Sequence, residues 1–194
     1  MAEVAARNRA DAVGNPAAQV SGEVDVDALL ATPYHTAPMR AHDLPPFSDG
    51  ACAVIMATAD KARELSENPV WIRGIDHRIE SHHPGLRDLT DLPGLRTSAK
   101  RLSIHSKPID LAELCVRYSP EEIVIREALG LGRDTRLNPS GGPLCGHPVM
   151  ATGLTRVVEA TRRIAQGEAR RAIAHAASGA ALQQNLLCVL EGGA

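Results

Sequence analysis

The chain has 194 residues, 44% of them hydrophobic, enough to bury the core of one domain or of a domain and a half. A formal net charge of −2 gives no electrostatic case for nucleic acid, and four aromatic residues (Tyr34, Phe47, Trp71, Tyr118) make no base-stacking platform. The opening residues mix charge with alanine, and no apolar run approaches the ~18 residues of a membrane span, so the expectation is a soluble cytoplasmic protein without membrane contact.

Residues 2–13 place Val4, Ala5, Asn8 and Ala12 on one helical face, and Asn15-Pro16 ends that helix. A second short helix is predicted over 25–31, followed by Thr32-Pro33 and an extended run from Pro38 to Pro46. This first quarter is proline-broken and poor in large apolar residues, so it makes no core by itself. Asp49-Gly50 then turns into residues 51–57, a small and continuously apolar run that reads as a strand buried on both faces.

A charged helix at 59–67 and a strand at 70–75 follow. The segment from Glu80 to Pro93 reads as a loop. Its adjacent His82 and His83 point in different directions without a third ligand, which favours exposure over metal binding. A helix is predicted at 95–104 and a strand at 109–114, ending at Cys115-Val116-Arg117-Tyr118. Ser119-Pro120-Glu121-Glu122 reads as a capping box, with Ser119 as N-cap, Pro120 at the first helical position and Glu122 reaching back. That helix runs to Leu129 and stops at Gly130 or Gly132.

Beyond a glycine-rich turn, Leu154, Val157, Val158, Thr161, Ile164 and Ala165 share one helical face, with Arg156, Glu159, Arg162 and Arg163 opposite. This reads as a core-packing helix with a solvated basic side. Strands at 172–176 and 186–190 close an α/β arrangement with a mixed sheet. Cys52, Cys115, Cys145 and Cys188 stand apart without CxxC pairs, which speaks against a zinc ribbon or a disulfide framework and for reduced, mostly buried thiols.

The turn itself, residues 138–153, carries the chemistry. Asn138, Gly141, Gly142, Gly146 and Gly153 shape it, and Pro148 suits the first turn of the helix that follows. His147 is thereby held near a helix N-terminus, where protonation is disfavoured. A neutral imidazole can take a proton from a thiol or hydroxyl, or donate a hydrogen bond to an oxyanion. The plainer alternative for a lone histidine in such a loop is a buried turn residue. Metal binding through Cys145 and His147 lacks further ligands at useful spacing.

The whole pattern resembles the Asn-x-x-Gly-Gly…Gly-His-Pro-x-x-x-x-Gly signature of thiolases, and its flanks resemble the sterol-carrier-protein type. Asn15-Pro16 is similar to the loop-domain Asn-Pro, Ser48-Asp49-Gly50-Ala51 to the Ser/Asp-Gly-Ala-Ala motif, and Ala181-Leu182-Gln183-Gln184-Asn185-Leu186 to the Ala-Leu-Gln-His-Asn-Leu ending. The resemblance implies the C-terminal half of a thiolase fold, a mixed five-stranded sheet with helices on both faces, plus the last strand of the N-terminal half. Residues 1–48 would then be a partly irregular loop-domain remnant, 49–68 the last strand and helix of an absent N-terminal half, and 69–194 the C-terminal domain.

In that family the Gly-His-Pro histidine activates a nucleophilic cysteine and lines an oxyanion hole, a role that falls on His147. The resemblance implies acyl transfer or carbon-carbon cleavage on an acyl-CoA, with the coenzyme A thioester as substrate and no covalently bound cofactor. The basic face after the turn would, as a weaker alternative to solvation, meet a coenzyme A phosphate. Three departures stand out. The nucleophile belongs to the N-terminal half and is expected from a partner chain or an oligomer. The oxyanion-hole Asn or His is replaced by Cys115, and the following cysteine by Arg117. The final Cys-x-Gly-Gly loop has no counterpart in 176–180. Cys115 and Tyr118 are therefore secondary catalytic candidates, and a non-catalytic scaffold or binding module is the alternative function.

Overall fold

The computed structural model describes residues 1–193. Among them the chain forms helices α1 (Ala2–Asp11), α2 (Val26–Ala31), α3 (Ala59–Leu65), α4 (Pro93–Arg101), α5 (Ser119–Leu129) and α6 (Thr152–Ala165). Its strands are β1 (Tyr34–Thr36), β2 (Met39–Arg40), β3 (Val70–Ile79), β4 (Leu111–Glu113), β5 (Arg136–Leu137), β6 (Arg171–Ser178) and β7 (Gln184–Gly192). The last five make one sheet in the order β3-β7-β6-β4-β5. β4 lies parallel to β5 and β6, while β7 runs antiparallel to β6 and β3.

Strand periodicity divides the core. Ile173, Leu187 and Val189 point to one face, where they pack with Leu95 and Ala99 of α4 and Ile125, Ala128 and Leu129 of α5. Ala172, Ala174, Cys188 and Leu190 point to the other, against Ala160 and Ile164 of α6. Small side chains on that second face let α6 lie close to the sheet. The mixed five-stranded sheet with helices on both faces is thus the architecture expected from the sequence.

Four local expectations are corrected. Residues 51–57 form no strand: among the described residues no strand edge runs beside them to take up their backbone groups. Ile55 is 94% exposed and Met56 75% exposed, and α3 buries no residue. The run from Pro38 to Pro46 is not continuously extended, because Met39–Arg40 pairs with Tyr34–Thr36 and Ala41–Asp43 forms a single 3-10 turn.

At α5, Ser119 is already helical and Glu121, not Glu122, reaches back, its Oε2 accepting from the backbone N–H groups of Arg117 (2.8 Å) and Tyr118 (3.3 Å). Ser119 and Glu122 are otherwise engaged. The Ser119 hydroxyl donates to buried Asp43, and Glu122 pairs with Arg7 of α1, so the first quarter of the chain docks through the two residues that the capping pattern claimed. Finally, α6 buries Thr152, Arg156, Glu159 and Arg163 and leaves Leu154 exposed. Most of its charged side is turned inward and only Arg162 stays partly exposed, because Arg156 and Arg163 find partners inside: Glu113 on β4 and the Pro139 carbonyl.

β6 carries one further polar group in the core. His175 is fully buried, with Nε2 3.0 Å from Asn185 Oδ1, while Asn185 Nδ2 donates to Leu182 O. Burial pushes its pKa down to about 4 from 6.5. Because the unfolded chain binds this proton at higher pH than the folded one, His175 favours the fold fully above pH 6.5, and that contribution is lost as pH falls through 6.5 towards 4. The loss is on the order of 3 kcal/mol. Urea unfolding at pH 7 and pH 4.5 is expected to show this decline in the parent and a shallower one in His175→Gln; equal declines would remove the assignment.

Candidate active site

The carboxyl ends of the parallel strands β4, β5 and β6 converge on the glycine turn, the edge where open α/β sheets bind ligands. β5 ends at Leu137, so Asn138 is the first residue of the turn. Asn138 sits at φ 48° with its side chain folded inward, where Oδ1 accepts from Leu114 N–H at 2.6 Å, just past the end of β4. Its own N–H donates to Ala112 O at 2.8 Å, so the turn leaves the sheet without an orphaned backbone group.

Gly141 has φ +89°, and a Cβ there would stand 2.6 Å from the Ala12 methyl and 2.8 Å from Cys145 Cβ. Both conformation and contact require glycine. Gly142 (φ +61°) follows it in the left-handed region. Gly153 serves differently: a Cβ on it would meet Ala176 Cβ of β6 at 2.8 Å, so it sets how closely α6 approaches the sheet. Gly146 is not so constrained: its φ is not positive, and a Cβ on it would meet no atom nearer than 3.4 Å. Pro148 is not in the first turn of α6. It precedes a 3-10 turn, Val149–Ala151, and Val149 takes φ 32°, a strained value for a β-branched residue.

His147 is buried, 6% exposed, between these pieces. Its backbone N–H lies 3.1 Å from Pro46 O and 2.8 Å from Ser48 Oγ, and its carbonyl accepts from Ser48 N–H at 3.2 Å. The 46–48 segment thereby clasps it from outside, with the Phe47 ring centred 5.8 Å from the imidazole. Nδ1 is 2.7 Å from the hydroxyl of Thr152, the first residue of α6. Among the described residues this is the ring's only hydrogen bond, and Nε2 is free. The imidazole is held neutral chiefly by burial, and then by the positive charges of Arg117 and Arg156, which lower its pKa.

The secondary candidates are placed differently. Cys115 is buried, its Sγ 3.9 Å from Ala177 O, and burial raises its pKa, so the thiol is not poised as a thiolate. Tyr118 is half-exposed at the cap of α5. Neither is hydrogen-bonded to His147. Cys145 is also buried, its thiol pushed up to about 11, and no group of three or more potential metal ligands occurs among the described residues.

A buried cluster lies directly behind the turn. Glu113, at the end of β4, accepts from Ser140 N–H (3.0 Å), Ser140 Oγ (2.7 Å) and Arg156 Nη1 (2.5 Å); Arg156 Nη1 also donates to Ser140 Oγ (2.8 Å). Burial pushes the Glu113 carboxyl up, against the guanidinium and the two serine donors. Three donors at its oxygens identify it as the carboxylate. Thr152 and this cluster escape motif reading. The available signal was Glu113 itself, a charge set among Leu111, Ala112 and Leu114.

No protein-family model matches the sequence. The chain is 32% identical to an acetyl-CoA acetyltransferase of Methanothermobacter thermautotrophicus, over 87% of its own length and 50% of the relative's. Its fold matches a monomeric SCP2-thiolase-like protein type 1 from Mycobacterium smegmatis (TM-score 0.74, 18% identity, 98% of this chain and 46% of that one). It likewise matches human mitochondrial 3-ketoacyl-CoA thiolase (TM-score 0.73, 18% identity, 91% and 45%). The chain therefore spans about half the length of the relatives it matches.

The turn geometry generates a stability test. Asn138→Ala leaves the Leu114 N–H buried without an acceptor and puts alanine in a left-handed conformation, and is expected to cost roughly 2 kcal/mol or more in chemical denaturation. A cost below about 0.5 kcal/mol would mean that the Asn138 side chain does not anchor the turn.

Proposed function

We propose that this chain, which is similar to thiolases over about half of their length, corresponds to their C-terminal half and supplies the histidine side of a thiolase-type acyl-CoA acyltransferase site. The observation that carries this reading is His147: neutral, fixed through Nδ1, and presenting Nε2 at the carboxyl ends of parallel strands. In the proposed step, Nε2 takes the proton of a cysteine thiol, and the thiolate attacks the carbonyl carbon of a coenzyme A thioester. Collapse of the tetrahedral adduct expels the coenzyme A thiolate, which recovers the proton from the imidazolium. For a 3-oxoacyl thioester, the same attack at the 3-oxo carbon breaks the carbon-carbon bond, and the departing enolate takes that proton.

The nucleophile comes from a complementary polypeptide in this reading. Cys115, Cys145 and Cys188 are buried with raised pKa values, and Cys52 directs its Sγ at Ala151 O (3.8 Å) rather than at His147. Residues 51–65 fit the same proposal, because Val54, Ile55, Met56 and Leu65 stand exposed, as does Ile75 on the outer strand β3. An interface that covers them would also complete the division proposed from sequence: a loop-region remnant (1–48), a strand-and-helix remnant (49–68) and a C-terminal domain (69–194). That no thiol is hydrogen-bonded to His147 among the described residues favours the second reading, a non-catalytic binding module with the same fold.

Two measurements separate the readings. With its complementary chain present, His147→Ala is expected to lower thioester cleavage by about 100-fold or more. An assembly that is inert with His147 intact supports the binding module. Ile55→Asp combined with Met56→Asp is expected to abolish co-purification of the complementary chain while leaving the melting of this one unchanged; undiminished co-purification would place the interface elsewhere.

A further inference from the structure

Thr152 and Arg156 are four residues apart on α6 and so lie on the same face, one above the other. Thr152 holds the imidazole, and Arg156 holds the cluster behind it. Ser140 joins the two halves of this arrangement. Its N–H and hydroxyl both go to Glu113, its hydroxyl also accepts from Arg156 and from Gly142 N–H (3.2 Å), and its carbonyl accepts from Asn15 Nδ2 (2.9 Å). One carboxylate thus fastens the end of β4, the start of the glycine turn and the second turn of α6 to one another.

We propose that the Glu113–Ser140–Arg156 cluster is a positioning device for His147, fixing the glycine turn and the rotation of α6 together so that the Thr152 hydroxyl meets Nδ1 and Nε2 stays free. The proposal rests on the catalytic reading of His147. Stability alone gives little reason for these charges, because a buried ion pair is often no more stabilising than apolar residues of the same volume. What the charges supply is direction: Glu113 accepts at both oxygens from two elements, and a shift of either element lengthens a buried charged hydrogen bond. The charged groups acting on His147 are Arg156, from α6, and Arg117, from the segment after β4; Arg117 is paired with Glu121 and stands outside the cluster.

Ser140→Ala is the sharper test because it changes no charge. Read by NMR titration of the His147 Cε1–H signal, in the chain together with any polypeptide that co-purifies with it, the variant is expected to melt cooperatively. Its imidazole pKa is expected to rise by about half a unit or more as water reaches the loosened ring. Thioester cleavage is expected to lose about tenfold or more in kcat, with KM within about twofold. Glu113→Gln with Arg156→Met, a neutral pair of similar length, is expected to raise the same titration.

A folded variant whose His147 titrates as in the parent overturns the proposal. Unfolding of both variants also overturns it, since the cluster would then be a condition of folding and not of the imidazole's pose. A shifted titration in an assembly inert towards acyl-CoA keeps the positioning role and removes the acyl-transfer reading. An active parent whose variants titrate unchanged does the reverse.

Discussion

A carboxylate buried at the end of β4 is the constraint on which the site depends. Glu113 is fully enclosed, and an unpaired charge there is untenable; it persists because Arg156 and two donors of Ser140 reach it. Those three hydrogen bonds come from the glycine turn and from α6, so satisfying the charge and assembling the site are one event. The turn cannot relax away from the sheet without leaving Glu113 unsatisfied, and α6 cannot rotate without withdrawing Arg156.

Glycine serves this assembly at positions with different demands. At 141 the requirement is local, a positive φ in a space already filled by Ala12 and Cys145. At 153 it is tertiary, since the missing side chain lets α6 press on β6. The outer clasp from 46–48 adds a third layer. Ser48 exchanges hydrogen bonds with the His147 backbone, which ties the irregular first quarter of the chain to the imidazole. The same quarter is anchored near its other end by Arg7 on Glu122, and close to the clasp by Asp43 on Ser119.

Much of the fold was legible in the sequence where local chemistry and tertiary role coincide. The strands predicted at 172–176 and 186–190, which the structure extends to 171–178 and 184–192, the stop of α5 at Gly130 with φ 60°, and the burial of Val4, Ala5 and Asn8 are of this kind. Legibility failed where a side chain had two eligible uses. Ser119 and Glu122 have the spacing of a cap but are spent on docking, and Glu121 takes over. Arg156 has the spacing of a solvated face but is drawn inward by Glu113, which lies 43 residues away in sequence and is invisible to any helical window. Residues 51–57 have the composition of a central strand, but strand formation needs an edge to pair with, and composition cannot report whether one is present. For His147, the turn pattern indicated a neutral ring beside a helix start. The stronger cause, burial, emerged only from the packing of the 46–48 segment over it.

The contact between Gly153 and Ala176 leaves no space for a methyl group, so the helix and the strand beneath it act as a single slab. Small changes in side-chain volume anywhere along that seam are therefore converted into tilt at the N-terminal tip of the helix, where the Thr152 hydroxyl resides. The pose of the imidazole is thereby tied to residues that never touch it, because the seam sets the height at which the ring stands above the strand ends.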